Sequence, residues 1–184
     1  MTTNRGRHFD VIGQLASLRR YARSLVRDSD DAEDLVHDAL IKAYEGRQGF
    51  RPGTNVRKWL FSILHNTHVD RLRRTKALQR RHEALGQIVE QSMAASQDHS
   101  VRLRQVREAF FQLPEEQREA LHLVTMEELS YEEAAGALGI PVGTLMSRIS
   151  RARARLRSIE DATTDQNDQF RHLRIVGGTD DDSH

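Results

Sequence analysis

No cysteine occurs in the 184 residues, which excludes disulfides, thiolate metal sites and cysteine nucleophiles together and makes the cytoplasm the expected setting. Prolines number three and aromatic residues make up 5% of the chain, so little interrupts helices and the core must be modest. Nowhere do the ~18 uncharged apolar residues of a membrane span run together, and the start Met1-Thr-Thr-Asn-Arg-Gly-Arg-His8 has no apolar stretch behind it. A soluble protein without membrane insertion is expected. At roughly 100 to 200 residues per domain, the length allows one domain or two small ones and no large multidomain enzyme.

What is abundant is charge, at 30% of residues, and it is sorted. Residues 57–82 hold eight bases (Arg57, Lys58, Arg71, Arg73, Arg74, Lys76, Arg80, Arg81) against Asp70, and residues 142–157 hold five arginines (148, 151, 153, 155, 157) and no acid. Residues 28–45 carry seven acids against Lys42, and residues 115–133 carry seven against Arg118. The formal net charge of +1 hides this alternation. A chain that meets a polyanion on one side and a protein on the other sorts its charges in this way.

Apolar residues recur at helical spacing throughout, with no strand pattern, so the expected class is all-α. Val11, Leu15, Leu18, Ala22 and Leu25 form one stripe; Ala32, Leu35, Val36, Ala39, Leu40, Ala43 and Tyr44 form a second, capped by Asp30 or Asp31 and closed by Gly46. Gly49 to Asn55 has the punctuation of a loop, with Thr54 or Asn55 placed to cap a long third helix that carries Trp59, Leu60, Ile63, Leu64 and Leu72 inward. Residues 83–100 lose the periodicity and read as a flexible linker. Two helical domains are thus expected, residues 7–82 and 101–158. From residue 159 an acidic tail, 159–184, is expected to be unstructured.

The most specific local pattern runs from Tyr131 to Arg153. Ser130 and Glu133 form a capping-box pair, Ala135 permits a close helix crossing, Gly139 permits a sharp turn, and Ile140 and Leu145 plug the angle between two helices. This is a helix-turn-helix. On its second helix Thr144, Ser147, Arg148 and Arg151 lie on or beside an exposed face suited to base edges, while Arg153 and Arg155 suit phosphates. A second constellation, Phe50, Trp59, Asn66, Arg71, Arg73 and Arg74, supplies the planar and cationic side chains that hold single-stranded nucleic acid. A lone tryptophan at helical spacing is, however, more often packing than platform.

Asp31-Ala-Glu-Asp-Leu-Val-His-Asp-Ala-Leu-Ile-Lys-Ala-Tyr44, then Trp59-Leu-Phe-Ser-Ile-Leu-His-Asn-Thr-His-Val-Asp-Arg-Leu-Arg-Arg74, then Leu113-Pro-Glu-Glu-Gln-Arg-Glu-Ala-Leu121 and the helix-turn-helix, in that order, resemble bacterial sigma-70 family factors of the extracytoplasmic-function (ECF) group over about residues 10–158. The resemblance implies a region 2-like bundle and a region 4-like helix-turn-helix bundle. It implies docking of Asp34, Leu35, Asp38 and Leu40 on the clamp helices of the largest subunit of core RNA polymerase, and contact of the rear half with the flap. It further implies capture of a base flipped from the minus-ten element, with Asn66 at the matching position and Phe50 and Trp59 nearby, and duplex reading of the minus-thirty-five element. An anti-sigma factor is an expected partner, and no cofactor is. The loop before Trp59 and the run Tyr131-Glu-Glu-Ala-Ala135 are closest to general-stress factors of alphaproteobacteria. His37, Met146 and Ser150 depart from residues common in the family.

Other readings are weaker. His65 and His68 share a helical face, but no acidic third ligand stands on that face and Asp70 is off by geometry, so no metal site is expected. No nucleophile elbow or ordered triad supports an enzyme. A stand-alone helix-turn-helix repressor or activator would require palindromic half-sites and autonomous duplex affinity. A sigma-like decoy that sequesters an anti-sigma factor is a third possibility at the level of sequence.

Overall fold

The computed structural model describes residues 10–50, 55–83 and 101–171, and no strand occurs among them. The helices are α1 (Leu15–Leu25), α2 (Ser29–Glu45), α3 (Val56–Glu83), α4 (Val101–Phe111), α5 (Glu115–Thr125), α6 (Tyr131–Leu138) and α7 (Val142–Arg171), with short 3-10 turns at Ile12–Gln14 and Gly46–Gly49. The expected linker falls almost wholly outside the described residues, as does the loop segment 51–54. The final helix runs on to Arg171, past Ser158 where its apolar periodicity fades, so the first part of the expected unstructured tail continues the helix.

Local chemistry sets the helix ends. Asp28, rather than Asp30 or Asp31, caps α2: its Oδ1 accepts from the amides of Asp30 (2.8 Å) and Asp31 (3.0 Å), leaving those two acids in the first turn where the helix dipole favours them. Asn55 caps α3 by accepting from the amides of Arg57 and Lys58. Ser130 and Glu133 complete the expected capping box on α6. Gly139 ends α6 at φ +65°, a left-handed conformation that a residue with a Cβ adopts at a cost of roughly 1 kcal/mol. The amide of Ile140 then bonds back to Ala135, and the chain turns into α7.

The two halves do not stand apart. α5 lies against α1 and α6 lies against α3, so the buried residues of the front half (Leu18, Tyr21, Leu35, Leu60, Phe61, Leu64) and of the rear half (Leu113, Leu123, Leu145, Ile149, Ala152) belong to one contiguous core. Tyr21 meets Phe61 edge to face, with ring centroids 5.4 Å apart. Burying each such large side chain contributes about 1.5 to 3 kcal/mol. One residue read as inward faces solvent instead: Tyr44, at 64% exposure near the end of α2. It sits where the helix ends.

Candidate nucleic-acid and polymerase surfaces

In the helix-turn-helix half, Leu145, Ile149 and Ala152 anchor α7 inward, which turns the opposite face outward. On that face Ser147 donates to the carbonyl of Thr144 (2.8 Å), and Arg151 bonds both the carbonyl and the hydroxyl of Ser147 (3.2 and 3.3 Å). Thr144, Ser147 and Arg151 are therefore pre-ordered along one helix edge. Arg153, Arg155 and Arg157 are exposed. Arg148 behaves differently: its guanidinium turns toward α5 and pairs with Glu116 at 2.8 Å, leaving the side chain 19% exposed. It stands beside the outward face rather than on it.

The front half places its expected residues less uniformly. Asn66, Arg73 and Arg74 are exposed on α3. The Phe50 and Trp59 rings meet at a tilt of 56°, centroids 5.2 Å apart, and Trp59 also packs on the core, so it serves as packing while keeping part of its surface open. Arg71 reaches α2 instead of solvent, bonding Asp38 through two nitrogens (3.1 and 2.5 Å) and the carbonyl of Asp34 (2.8 Å). The expected DNA-facing Arg71 and the expected polymerase-facing Asp38 thus neutralise each other across α2 and α3.

On α2 the Asp34 side chain is exposed, whereas Leu35 is fully buried and Leu40 packs on the core. Leu35 cannot offer its side chain to a partner; helical spacing placed it inward, and that is where it lies. The open face of α2 holds Asp34, His37, Ile41 and Tyr44, with Arg47 stacked over the Tyr44 ring at 3.9 Å. Ile41 and Tyr44 are exposed apolar neighbours of the acids; Ile41 lies off the apolar stripe read from the sequence, whereas Tyr44 was placed on it.

Sequence reasoning missed the polar seam between the halves. Glu127, fully buried in the turn after α5, accepts from Arg20 (3.0 Å to each carboxylate oxygen) and from Arg57 (2.7 Å), with His122 3.4 Å away. Burial alone would raise its pKa, but the hydrogen bonds of His122, Arg20, Arg57 and Ser17 more than offset it and hold the carboxyl at about 2. Arg118 crosses to the end of α1 and donates to the carbonyls of Ser24 (2.6 Å) and Leu25 (3.1 Å), satisfying groups that a helix terminus leaves open. Asn55 donates to Glu133 at 2.8 Å, joining the capping residue of α3 to the capping box of α6. His68 Nε2 lies 2.6 Å from Glu115 and His65 Nδ1 lies 3.3 Å from Glu119. The His68 hydrogen bond holds Glu115 below the usual carboxylate range, against burial. Apart from His122 and Glu127, these partners are 47 to 110 residues apart along the chain, beyond the reach of any local pattern.

The two halves coincide with two family models: Sigma-70 region 2 matches residues 14–78, and Sigma-70 region 4 matches residues 103–156. The chain is 37% identical over 156 residues to the ECF RNA polymerase sigma factor EcfG of Rhodopseudomonas palustris, covering 82% of each protein. It belongs to the ECF sigma factors. Another relative, ECF RNA polymerase sigma factor SigM of Mycobacterium tuberculosis, is 38% identical over 76% of this chain and 69% of its own. Among solved structures, the sigma factor RpoE of Bartonella quintana, in complex with the anti-sigma factor NepR, superposes with a TM-score of 0.68 at 36% identity, over 82% of this chain and 93% of that one. Sigma factors are not generally enzymes. No helix among the described residues is long and apolar enough to cross a membrane.

Proposed function

We propose that this ECF sigma factor binds core RNA polymerase in the cytoplasm, directs it to specific promoters and helps open the minus-ten element. The observation that carries the reading is the presence in one chain of a region 2 half with an acidic α2 and a basic α3, followed by a region 4 half whose α7 presents Ser147, Arg151, Arg153 and Arg155 outward. α7 reads paired bases in a major groove through Thr144, Ser147 and Arg151, and Arg153 and Arg155 hold phosphates and register. Asn66, with Phe50 and Trp59 nearby and Arg73 and Arg74 beyond, receives an unpaired base. Flipping a base costs a few kcal/mol, which binding in that pocket offsets, so opening needs no ATP. Asp34, Ile41 and Tyr44, on the open face of α2, form its polymerase-facing side.

The packing of α6 on α3 suits a resting form. At ~3.4 Å per base pair, the minus-thirty-five and minus-ten elements lie several tens of Å apart along duplex DNA, so halves packed together cannot occupy both. Polymerase binding therefore separates the halves, and an anti-sigma factor such as the one bound to RpoE in Bartonella quintana is a fitting antagonist. The likeness to EcfG makes a general-stress promoter set the first to test.

The deciding experiment is in vitro transcription with core polymerase and a genomic promoter library. Start sites sharing paired upstream and downstream elements, made only when this protein is added, are expected. Autonomous, tight binding to palindromic duplex without polymerase would replace the reading with that of a stand-alone repressor or activator. Anti-sigma binding without any transcription would replace it with that of a decoy.

A further inference from the structure

We propose that His68, Glu115 and Glu119 form a divalent metal site of the zinc type that bridges the two halves of the chain. Each offers a ligand atom, and these atoms all lie within 4.8 Å of one another. The arrangement comes from two facing helices: Glu115 and Glu119, four residues apart, share a face of α5, and His68 meets them from α3. His68 and Glu119 are 4% and 5% exposed, while Glu115 is 38% exposed and stands at the mouth, so an ion has a way in.

Two further groups point to a ligand there. The buried Nδ1 of His65 faces Glu119 at 3.3 Å without a hydrogen bond, and the hydroxyl of Tyr21, wholly buried, has no hydrogen-bond partner either. Burial, and after it the charges of Glu119 and Glu115, push the Tyr21 pKa up. Buried polar groups are almost always bonded, and the orphan imidazole nitrogen beside Glu119 marks a place for an ordered ion and its water. Neither group need be a ligand: a phenol or imidazole bonded to a coordinated carboxylate or water is the usual outer support of such a site.

The chemistry selects the ion. One imidazole and two carboxylates with one open position is a three-ligand set that zinc accepts in tetrahedral form, whereas calcium takes six or more oxygens and magnesium rarely a histidine. Tetrahedral ligands ~2.0 to 2.2 Å from zinc are roughly 3.4 Å from one another. The 2.6 Å His68–Glu115 pair would open by under 1 Å and the wider separations would close, movements within side-chain freedom. The two carboxylates carry −2, part of which the nearby Arg118 already offsets. The sequence lacked an acidic ligand on the face of His65 and His68 because the acids belong to the other half of the chain.

Since the ligands come from both halves, metal binding requires the packed form and favours it. At a metal concentration 100 times Kd, the packed form gains a factor of about 100 over the separated one. The site would thus tie the resting form of the protein to zinc supply.

The test is equilibrium competition of the tag-free full chain with a chromogenic chelator for Zn(II), alongside Co(II) absorption and thermal melting with and without Zn(II). One equivalent of zinc, the intense visible bands of tetrahedral Co(II), and a melting temperature raised by zinc are expected. Glu115→Gln and Glu119→Gln should each weaken binding at least tenfold and remove the zinc-dependent rise, while the exposed His37→Ala should change neither. Glu115 is half-exposed, so its variant stays informative if His68→Ala fails to fold. Failure to compete for zinc, or equal affinity and stoichiometry in both glutamine variants, overturns the site, and the second result assigns the zinc to others of the nine histidines. No readout uses polymerase or promoter DNA, so the sigma factor reading stands or falls separately.

Discussion

The two arginine-rich helices of this sigma factor use their cations differently. Along α7, Arg151, Arg153, Arg155 and Arg157 face solvent. On α3, Arg57 is drawn to Glu127 of the rear half and Arg71 to Asp38 of α2. The helices look alike as strings of basic residues, and what separates them is proximity to an acid folded in from elsewhere. An arginine with a carboxylate in reach, as Arg148 of α7 also has in Glu116, is structural in this form of the protein, and one without is available to a polyanion.

The largest effect should come from breaking the seam at its most buried point. Glu127→Ala removes the shared partner of Arg20 and Arg57, but those arginines are part-exposed and can turn to water, so the cost stays below the about 3 to 5 kcal/mol of a charge left buried and unpaired. A lower urea midpoint together with a larger radius of gyration in small-angle scattering is expected. Unchanged values in both would show that the remaining contacts hold the halves without it. Next in size, Arg151→Ala should cost about 1 to 3 kcal/mol of discrimination at one base step of the upstream element, measured by transcription from single-base promoter variants. Arg155→Ala should weaken all sequences alike and lower the salt slope by about 1. A base-specific loss at Arg155 would reverse that division of labour.

Acid tests the same seam without mutation. The Glu127 carboxyl is held at about 2, below its ordinary value of 4.5, by Arg20, Arg57, His122 and Ser17. A depressed carboxylate contributes stability that is complete above the unfolded pKa and is lost as pH falls through the folded one. Stability from this group is therefore constant above about pH 5 and declines from there toward pH 2, and Glu127→Gln should flatten that part of the profile in urea titrations. A variant with the wild-type acid slope would place the effect on other carboxylates. The smallest effect is expected at Glu128, which holds φ +53° so that its neighbour Glu127 can turn inward. Glu128→Gly should raise stability by up to about 1 kcal/mol, seen as a higher melting temperature. A lower one would mean that the cost of glycine in the unfolded chain exceeds the relief of strain.

Much of the molecule was legible in the residues themselves. The stripes of α1, α2 and α3, the capping box at Ser130 and Glu133 and the turn at Gly139 depend on neighbours within four positions, so spacing reveals them. The outward set on α7 followed from Leu145, Ile149 and Ala152 for the same reason. Leu35 shows the limit of borrowing a site from resemblance: its own periodicity placed it in the core, and that local signal agrees with its burial. Arg71, Arg148 and the His65–His68 pair were read without their partners, because Asp38, Glu116, Glu115 and Glu119 lie on other helices.

By itself the chain's order of residues determined its helices, their buried faces and its membership of the ECF sigma factors, since each rests on short-range periodicity or on motifs in a set succession. The packing of one half on the other decided which charges remain available. Charge pairing depends on distances of a few ångströms between segments tens of residues apart, and no local pattern encodes those distances. Glu127, an unremarked acid within a run of acids, became the fully buried junction of two halves only when α5 settled against α1 and α6 against α3.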